Sequence, residues 1–388
     1  MSSKRSIRDQ VAVIGVGCTK FGDLYDSTYE DQVCEAAFQA YDDAKIDPAE
    51  IDAAYVGTYL PHPQGGKAGI SLADPLRLYD RPVTRVENFC ATGTDAFRNA
   101  CLAIASGQHD IVLVVGSEKL KDRPGRGIPR VGHQILGKGN TAPGLFALAA
   151  NRYMHEFGVT RSTLAKVAVK NHWNGKRNPL SHLKMEVTEE QVLNAPIIAT
   201  PFGLFDCCPT TDGGAAAIVC RADIAKRFRD DYVLVKGAAL AVATGRPYYD
   251  PTFDYLGFRS TQAAARAAYE QAGIAPSDVD LAEVHDCFTW TEISNIEDLG
   301  FFEKGQGWKA VEEGKTRIDG SIPINPSGGL KSFGHPIGAS GVRMIYECVR
   351  QLRGECGERQ VKDPEIALAH NVGGPGAVSC VVVLGHAS

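Results

Sequence analysis

The sequence predicts an α/β protein built from two similar halves, and three observations carry that prediction. A stretch near the N-terminus recurs without a gap 228 positions later: Ala36, Ala40, Tyr41, Ala44, Ile46, Pro48, Asp52, Ala54 and Val56 match Ala264, Ala268, Tyr269, Ala272, Ile274, Pro276, Asp280, Ala282 and Val284. These identities reproduce a helix, a turn and a strand together, so the halves share one fold. Short apolar runs alternate with segments of helical spacing, which implies mixed sheets covered by helices on both faces. Finally, 388 residues exceed one simple core, while an apolar share of 44% and a charged share of 22% are those of a globular chain that buries a sizeable interior.

In chain order, Val11–Gly17 reads as a short strand ending in glycine. Gly15-Val16-Gly17 lacks the third glycine of a dinucleotide-binding turn, and no helix follows it directly. Tyr29–Ala44 has the spacing of an amphipathic helix, and Ile46–Asp52 turns it into the strand Ala53–Gly57. A β-prone run then leads to Asn88-Phe89-Cys90, and a second amphipathic stretch, Ala96–Ile104, follows. Cys90 is therefore expected at a strand-to-helix turn, where open backbone N–H groups and the helix dipole favour a thiolate. A small buried core cysteine is the alternative at this point. Asp110–Gly116 is the next strand.

From Lys119 to Asp230 the composition shifts to loops and polar helices. Arg123–Arg130 and Lys170–Pro179 are basic, and they read either as solvated loops or as a lid that meets phosphate. Phe205–Ala217 leads into the strand Ile218–Cys220. In the second half, Val233–Gly237 echoes the first strand, Ile322–Asn325 takes the place of the Cys90 strand, and Glu365–Asn371 corresponds to Asp110–Gly116. The expected division is residues 1–118 with 200–230 as the N-terminal half, 119–199 as a loop and lid region, and 231–388 as the C-terminal half.

Bulk properties exclude several functions. A net charge of -5 and the lack of any RNA or DNA motif argue against nucleic acid, although a local basic groove for a phosphorylated cofactor stays open. The eleven cysteines form no C-x-x-C pair, and Met1–Ser6 does not read as a signal peptide, which points to reduced thiols in the cytoplasm rather than disulfides or a metal site. Apolar runs are too short for a membrane span, and His386-Ala387-Ser388 is not a peroxisomal address.

Three further stretches hold more chemical groups than turns require: Glu283-Val284-His285-Asp286-Cys287-Phe288, Gly334-His335-Pro336-Ile337-Gly338-Ala339-Ser340-Gly341, and His370-Asn371-Val372-Gly373-Gly374-Pro375-Gly376. Each alone has a structural explanation. With Cys90 they supply two thiols, two or three imidazoles and exposed backbone N–H groups at strand ends of a repeat, which suits acyl transfer.

These residues resemble the thiolase superfamily over nearly the whole chain. Cys90 stands where thiolases carry the acylated cysteine, Gly334-His335-Pro336 is similar to their G-H-P motif, and His285-Asp286-Cys287-Phe288 is similar to the H-D-C-F motif of the sterol carrier protein and archaeal branch. Lys170-Asn171-His172 and Cys207–Gly213 also resemble that branch. The resemblance implies a thiolase fold, with two pseudo-twofold-related βαβαβαββ halves in five α-β-α-β-α layers plus a loop region. It implies cleavage of a 3-oxoacyl-CoA by CoA, or the reverse Claisen condensation, with CoA as substrate and no resident cofactor or metal.

In roles implied by the same resemblance, Cys90 is the nucleophile and His335 its base. Cys287 and His285 serve the second step, and Asn371 and Gly373 are oxyanion or positioning residues. One departure bears on that step: the slot that carries a late catalytic cysteine in other thiolases reads Asn371-Val372-Gly373 here, which makes Cys287 the acid/base candidate. His370, on the opposite face of an extended segment, is the secondary one. A homodimer or dimer of dimers and a small zinc-ribbon and OB-fold partner are implied likewise. The alternatives are acyl transfer to a non-CoA acceptor, a CoA side-chain retro-aldolase, for which Cys90 is not expected, and a non-catalytic lipid or acyl-CoA binder.

Overall fold

A computed structural model describes residues 6–60, 72–122, 141–243 and 251–386; Arg123–Arg130, one of the two basic stretches, lies outside the described residues. The first half runs β1 (Val11–Cys18), α1 (Tyr29–Ala44), β2 (Ala53–Gly57), β3 (Val83–Val86), α2 (Thr92–Ala105) and β4 (Ile111–Glu118). An insertion follows, with α3 (Ala142–Phe157), α4 (Arg161–Lys176), α5 (Glu189–Asn194) and the small hairpin β5 (Ile197–Ala199) and β6 (Phe202–Gly203), before β7 (Gly213–Arg221) returns to the sheet. The second half runs β8 (Val233–Val242), α6 (Arg259–Ala272), β9 (Leu281–Glu283), α7 (Thr289–Asp298), α8 (Gly307–Glu312), α9 (Gly329–Ser332), α10 (Ile337–Leu352), β10 (Ile366–Gly373) and β11 (Val378–Gly385).

The strand order is β3-β2-β4-β7-β1-β8-β11-β10-β9. Read outward from the β1–β8 seam, both sides repeat one plan. β4 and β7 are antiparallel as are β10 and β11, and Ala54↔Leu113 of the parallel pair β2–β4 is matched by Ala282↔Leu368 of β9–β10. Ile324 bridges to Ala282 in parallel where β3 joins β2. At the seam the ladder holds only Ala12↔Leu234 and Val13↔Val233, with Asp9 N–H donating to the Val235 carbonyl beside them, so a short antiparallel contact joins the two halves into one nine-stranded sheet.

Helix α1 covers the first half and α6 the second, while α2 and α10 lie between the halves and touch strands of both. That makes five layers. The central core interdigitates Phe97 and Ile104 of α2 with Val342, Ile345 and Val349 of α10. Each such side chain contributes about 1.5–3 kcal/mol by leaving water.

The repeated residues have repeated jobs. Asp52 Oδ2 accepts from the N–H groups of Asp110 and Ile111 at 2.8 and 3.0 Å, and Asp280 Oδ2 accepts from those of Glu365 and Ile366, both at 2.8 Å. Each Asp thus starts the strand beside it. The alanines let a helix lie on a strand backbone: a Cβ at Gly15 would come 2.3 Å from the Ala40 carbonyl oxygen, and one at Gly237 would come 2.5 Å from that of Ala268. Larger residues at either contact would push the helix off the sheet.

Candidate active site

Cys90 sits on a tight elbow between β3 and α2. Phe89 adopts φ +50° there, a left-handed conformation that costs a bulky residue about 1–2 kcal/mol. The elbow is held from α2: Thr92 Oγ1 accepts from Asn88 N at 2.9 Å and donates to Phe89 O at 2.6 Å, and Asn88 Nδ2 donates to Asp95 Oδ2 at 2.6 Å. No side chain caps α2, so its first turn presents backbone donors beside the partly exposed thiol.

His335 precedes α10, and Ser340 in that helix lies 2.7 Å from its Nδ1. His285 follows β9, where Val284 N donates to Asn325 Oδ1 at 2.8 Å and Asn295 Nδ2 donates to the His285 carbonyl at 2.7 Å. The two rings meet edge to face with centroids 5.2 Å apart. One ring nitrogen of each and the Cys90 sulfur lie within 4.8 Å of one another. Among the described residues this is the only such cluster of His, Cys and carboxylate groups, and its three N/S donors could also hold a thiophilic metal ion.

Burial dominates the electrostatics. It pushes the His335 pKa down to about 3, with the Arg343 charge adding to the fall, and it lowers His285 well below the usual imidazole range, helped by His335, His370 and Arg343. Both rings are therefore neutral at physiological pH. Burial raises the Cys287 thiol well above the ordinary value, and Cys208 and Cys90 raise it further. Cys287 stands outside the tight cluster, with its Sγ 3.9 Å from Thr291 Oγ1 and its carbonyl accepting from Cys208 N at 2.9 Å.

Asn371 reaches the cluster, its Nδ2 3.3 Å from His285 Nδ1. Gly373 abuts the elbow itself, where a Cβ would sit 2.7 Å from the Asn88 carbonyl oxygen. His370 does not reach the cluster. It leaves β10 on the other face, 3.1 Å from Thr261 Oγ1 of α6, and burial takes its pKa down to about 3. The Asp of the His-Asp-Cys-Phe stretch is an anchor: Asp286 accepts from Leu330 N at 2.6 Å and from Asn171 Nδ2 at 2.8 Å, and burial with the nearby Glu292 raises its pKa.

Sequence reasoning missed two groups that hold the site. Ser340 lies within the Gly334–Gly341 stretch, just over one turn past His335, but its motif assigns it no role. Glu118 also went unnoticed, and a lone carboxylate ending an otherwise apolar buried strand was the available signal.

A thiol and two neutral imidazoles gathered where two α/β halves meet, one from the first half and two from the second, define an acyl-transferring enzyme of the thiolase class. Comparison with known proteins makes the assignment specific. Residues 11–223 match the thiolase N-terminal domain and residues 248–386 match the "Thiolase C-terminal domain-like" family, so the chain belongs to the thiolase superfamily. It is 46% identical to "Acetyl-CoA acetyltransferase" of Methanothermobacter thermautotrophicus, over 96% of this chain and 98% of that protein, and 34% identical to "Sterol carrier protein 2" of Bos taurus, over 97% and 73% respectively. Among solved structures, "Ltp2-ChsH2(DUF35) aldolase" superposes with a TM-score of 0.88 at 25% identity, over 98% of this chain and 99% of that one. The chain is an acyltransferase of the thiolase type, and no helix among its described residues is long and apolar enough to cross a membrane.

Proposed function

We propose that the enzyme cleaves a 3-oxoacyl-CoA with CoA, or runs the reverse Claisen condensation, through an acyl thioester on Cys90. The observation that carries this reading is the approach of the Cys90 sulfur and the two imidazoles within 4.8 Å. CoA enters as substrate and product, not as a resident cofactor. In the first step the Cys90 S–H proton passes to His335, and the thiolate attacks the acyl carbonyl. The backbone N–H groups of Cys90 and Gly373 meet the resulting oxyanion, and its collapse expels the CoA thiolate or the enolate. In the second step Cys287 moves a proton at the α-carbon or at the incoming thiol, and His285 steadies the enolate oxygen. The enzyme acts as a homodimer or dimer of dimers in the cytoplasm, with a small zinc-ribbon and OB-fold subunit assisting CoA binding.

The test is mass spectrometry of the protein after mixing with acetyl-CoA or a 3-oxoacyl-CoA. One acyl group is expected on the Cys90 peptide, with none on Cys90→Ala. An unmodified Cys90 alongside full turnover would sink the reading. The aldolase neighbour supports a second reading, carbon–carbon cleavage of a CoA side-chain aldol without an acyl-enzyme. That activity would survive Cys90→Ala, so aldol and β-keto substrates assayed on this variant separate the two.

A further inference from the structure

The two imidazoles beside Cys90 are held by partners of opposite character. The Ser340 hydroxyl lies 2.7 Å from His335 Nδ1 and donates its single proton to the Pro336 carbonyl at 2.9 Å. With its proton directed to that carbonyl, which can only accept, the hydroxyl accepts from the imidazole, an arrangement that puts the ring proton on Nδ1. His335 Nε2 is then a bare lone pair, and it is buried with no hydrogen-bond partner among the described residues. His285 Nδ1 instead faces Asn371 Nδ2 at 3.3 Å. Met344 orients that amide, because its thioether sulfur, which has no proton to give, lies 3.2 Å from Nδ2. An amide nitrogen donates and does not accept, so His285 Nδ1 carries the lone pair and Nε2 carries the proton.

We infer that Ser340 and Asn371 are positioning residues that hold His335 and His285 in opposite tautomers, the first as a base and the second as a proton donor. The inference rests on the acyl-Cys90 reading and deepens it. In acylation the Cys90 S–H bond breaks, its electron pair stays on sulfur, and the proton goes to His335 Nε2 while Nδ1–H remains on Ser340. His285 cannot take that proton, because its Nε2 already bears one, but it can donate to an enolate oxygen. Asn371 thereby has a defined task in the slot that carries a cysteine in other thiolases. It exchanges no proton itself and fixes where the His285 proton resides.

The experiment is 15N–1H correlation spectroscopy of the full-length protein labelled at histidine, with His285→Asn and His335→Asn assigning the signals. At neutral pH the expected result is protonated Nδ1 in His335 and protonated Nε2 in His285. Asn371→Asp presents only acceptors, so it should move the His285 proton to Nδ1 and leave His335 unchanged. Condensation should fall about 100-fold, the cost of losing one oxyanion donor, while the burst of CoA release on acylation persists. Ser340→Ala should abolish the fixed Nδ1–H signal of His335, and Ser340→Thr should keep it. The same tautomer in both wild-type rings, or an unmoved His285 proton in Asn371→Asp, overturns the inference. If a variant fails to fold, the wild-type spectrum still decides. Failure of the underlying reading is separate: it appears as an unacylated Cys90 in a protein whose tautomers are as stated.

Discussion

The carboxylate of Glu118, at the end of β4, accepts a 2.9 Å hydrogen bond from the backbone N–H of Gly338, in the first turn of α10. Helix α10 has no side-chain cap of its own, so the first half of the protein supplies one for the central helix of the second. The same carboxylate accepts from Tyr59 N and Leu60 N at 3.0 and 2.8 Å. With the Thr58 hydroxyl at 3.5 Å, four donors converge on this buried side chain, one of them at a helix N-terminus. Glu118→Gln keeps the shape but turns an NH2 towards those donors. It should cost about 2 kcal/mol in urea unfolding and slow acylation, because His335 stands just before the helix that Glu118 fixes.

Variants of the cluster should divide the two chemical steps. His335→Ala is expected to slow formation of acyl-Cys90 by roughly 10²–10⁴-fold. Cys287→Ala should leave the acylation burst intact and block carbon–carbon bond formation. Rapid-quench measurement of the burst beside steady-state condensation checks this, and equal losses in both phases for both variants would refute the division.

Gly373→Ala tests the contact between β10 and the nucleophile elbow. Its Cβ would lie 2.7 Å from the Asn88 carbonyl oxygen and 3.0 Å from the Phe89 Cβ, so the elbow must shift. The expected stability cost is about 1–3 kcal/mol, as for other overpacked sites, and acyl transfer should fall by much more than the folded fraction does. Circular dichroism melting and the acylation rate on the same sample report the two effects.

Buried imidazoles should make the fold acid-sensitive. His335 and His370 have native pKa values of about 3 and His172 one of about 4, each depressed below the unfolded value by burial. As the pH falls through about 6.5, the unfolded chain takes up protons that the native state refuses, so stability declines from there towards the native pKa values. Buried acids with raised values, such as Asp286 and Glu297, act in the opposite sense above about pH 4. His370→Gln leaves those acids in place, so its stability should fall less steeply between pH 6 and 4, by about 1.4 kcal/mol per pH unit. Urea midpoints across that range give the slopes.

Thiophilic ions should inhibit. One sulfur and two imidazole nitrogens within 4.8 Å can converge on added Zn²⁺, which would occupy the thiolate and the base together. Micromolar Zn²⁺ is expected to stop acylation, and a chelator should restore it. Inhibition of equal strength in His285→Asn would show that the ion binds elsewhere.

How far the sequence could be read depended on whether the deciding contact was local. Amphipathic spacing and the turn after it predict helix α1 at Tyr29–Ala44 and strand β2 at Ala53–Gly57, where they occur; in the structure Thr28 and Asp31 add a capping box at the helix start. Helix α10 starts at Ile337, inside the glycine-rich Gly334–Gly341 stretch. Its first turn is a glycine, alanine and serine run that looks like loop, and it becomes helix through Glu118 and through Gly338, whose Cβ would come 2.5 Å from the Gly57 carbonyl oxygen. Strand β7 likewise starts at Gly213, before the expected Ile218, because its two glycines pack under Phe21 and against Gln32. Cys90, His285 and His335 could be named from their motifs, but not the 5.2 Å ring contact, which depends on how the halves meet. The partners of the rings, Ser340 and Asn371, are settled by side-chain direction, which no spacing encodes.

The division of the cluster between the halves has a consequence for the protein while it is being made. Cys90 leaves the ribosome about 245 residues before His335, an interval on the order of ten to fifty seconds at ~5–20 residues per second. For most of that time the growing chain carries the thiol without either imidazole, and His335 and the β10 turn come only after His285. Chemical competence arrives late in translation and all at once, so a truncated product would be inert rather than a partial catalyst loose among the acyl thioesters of the cell.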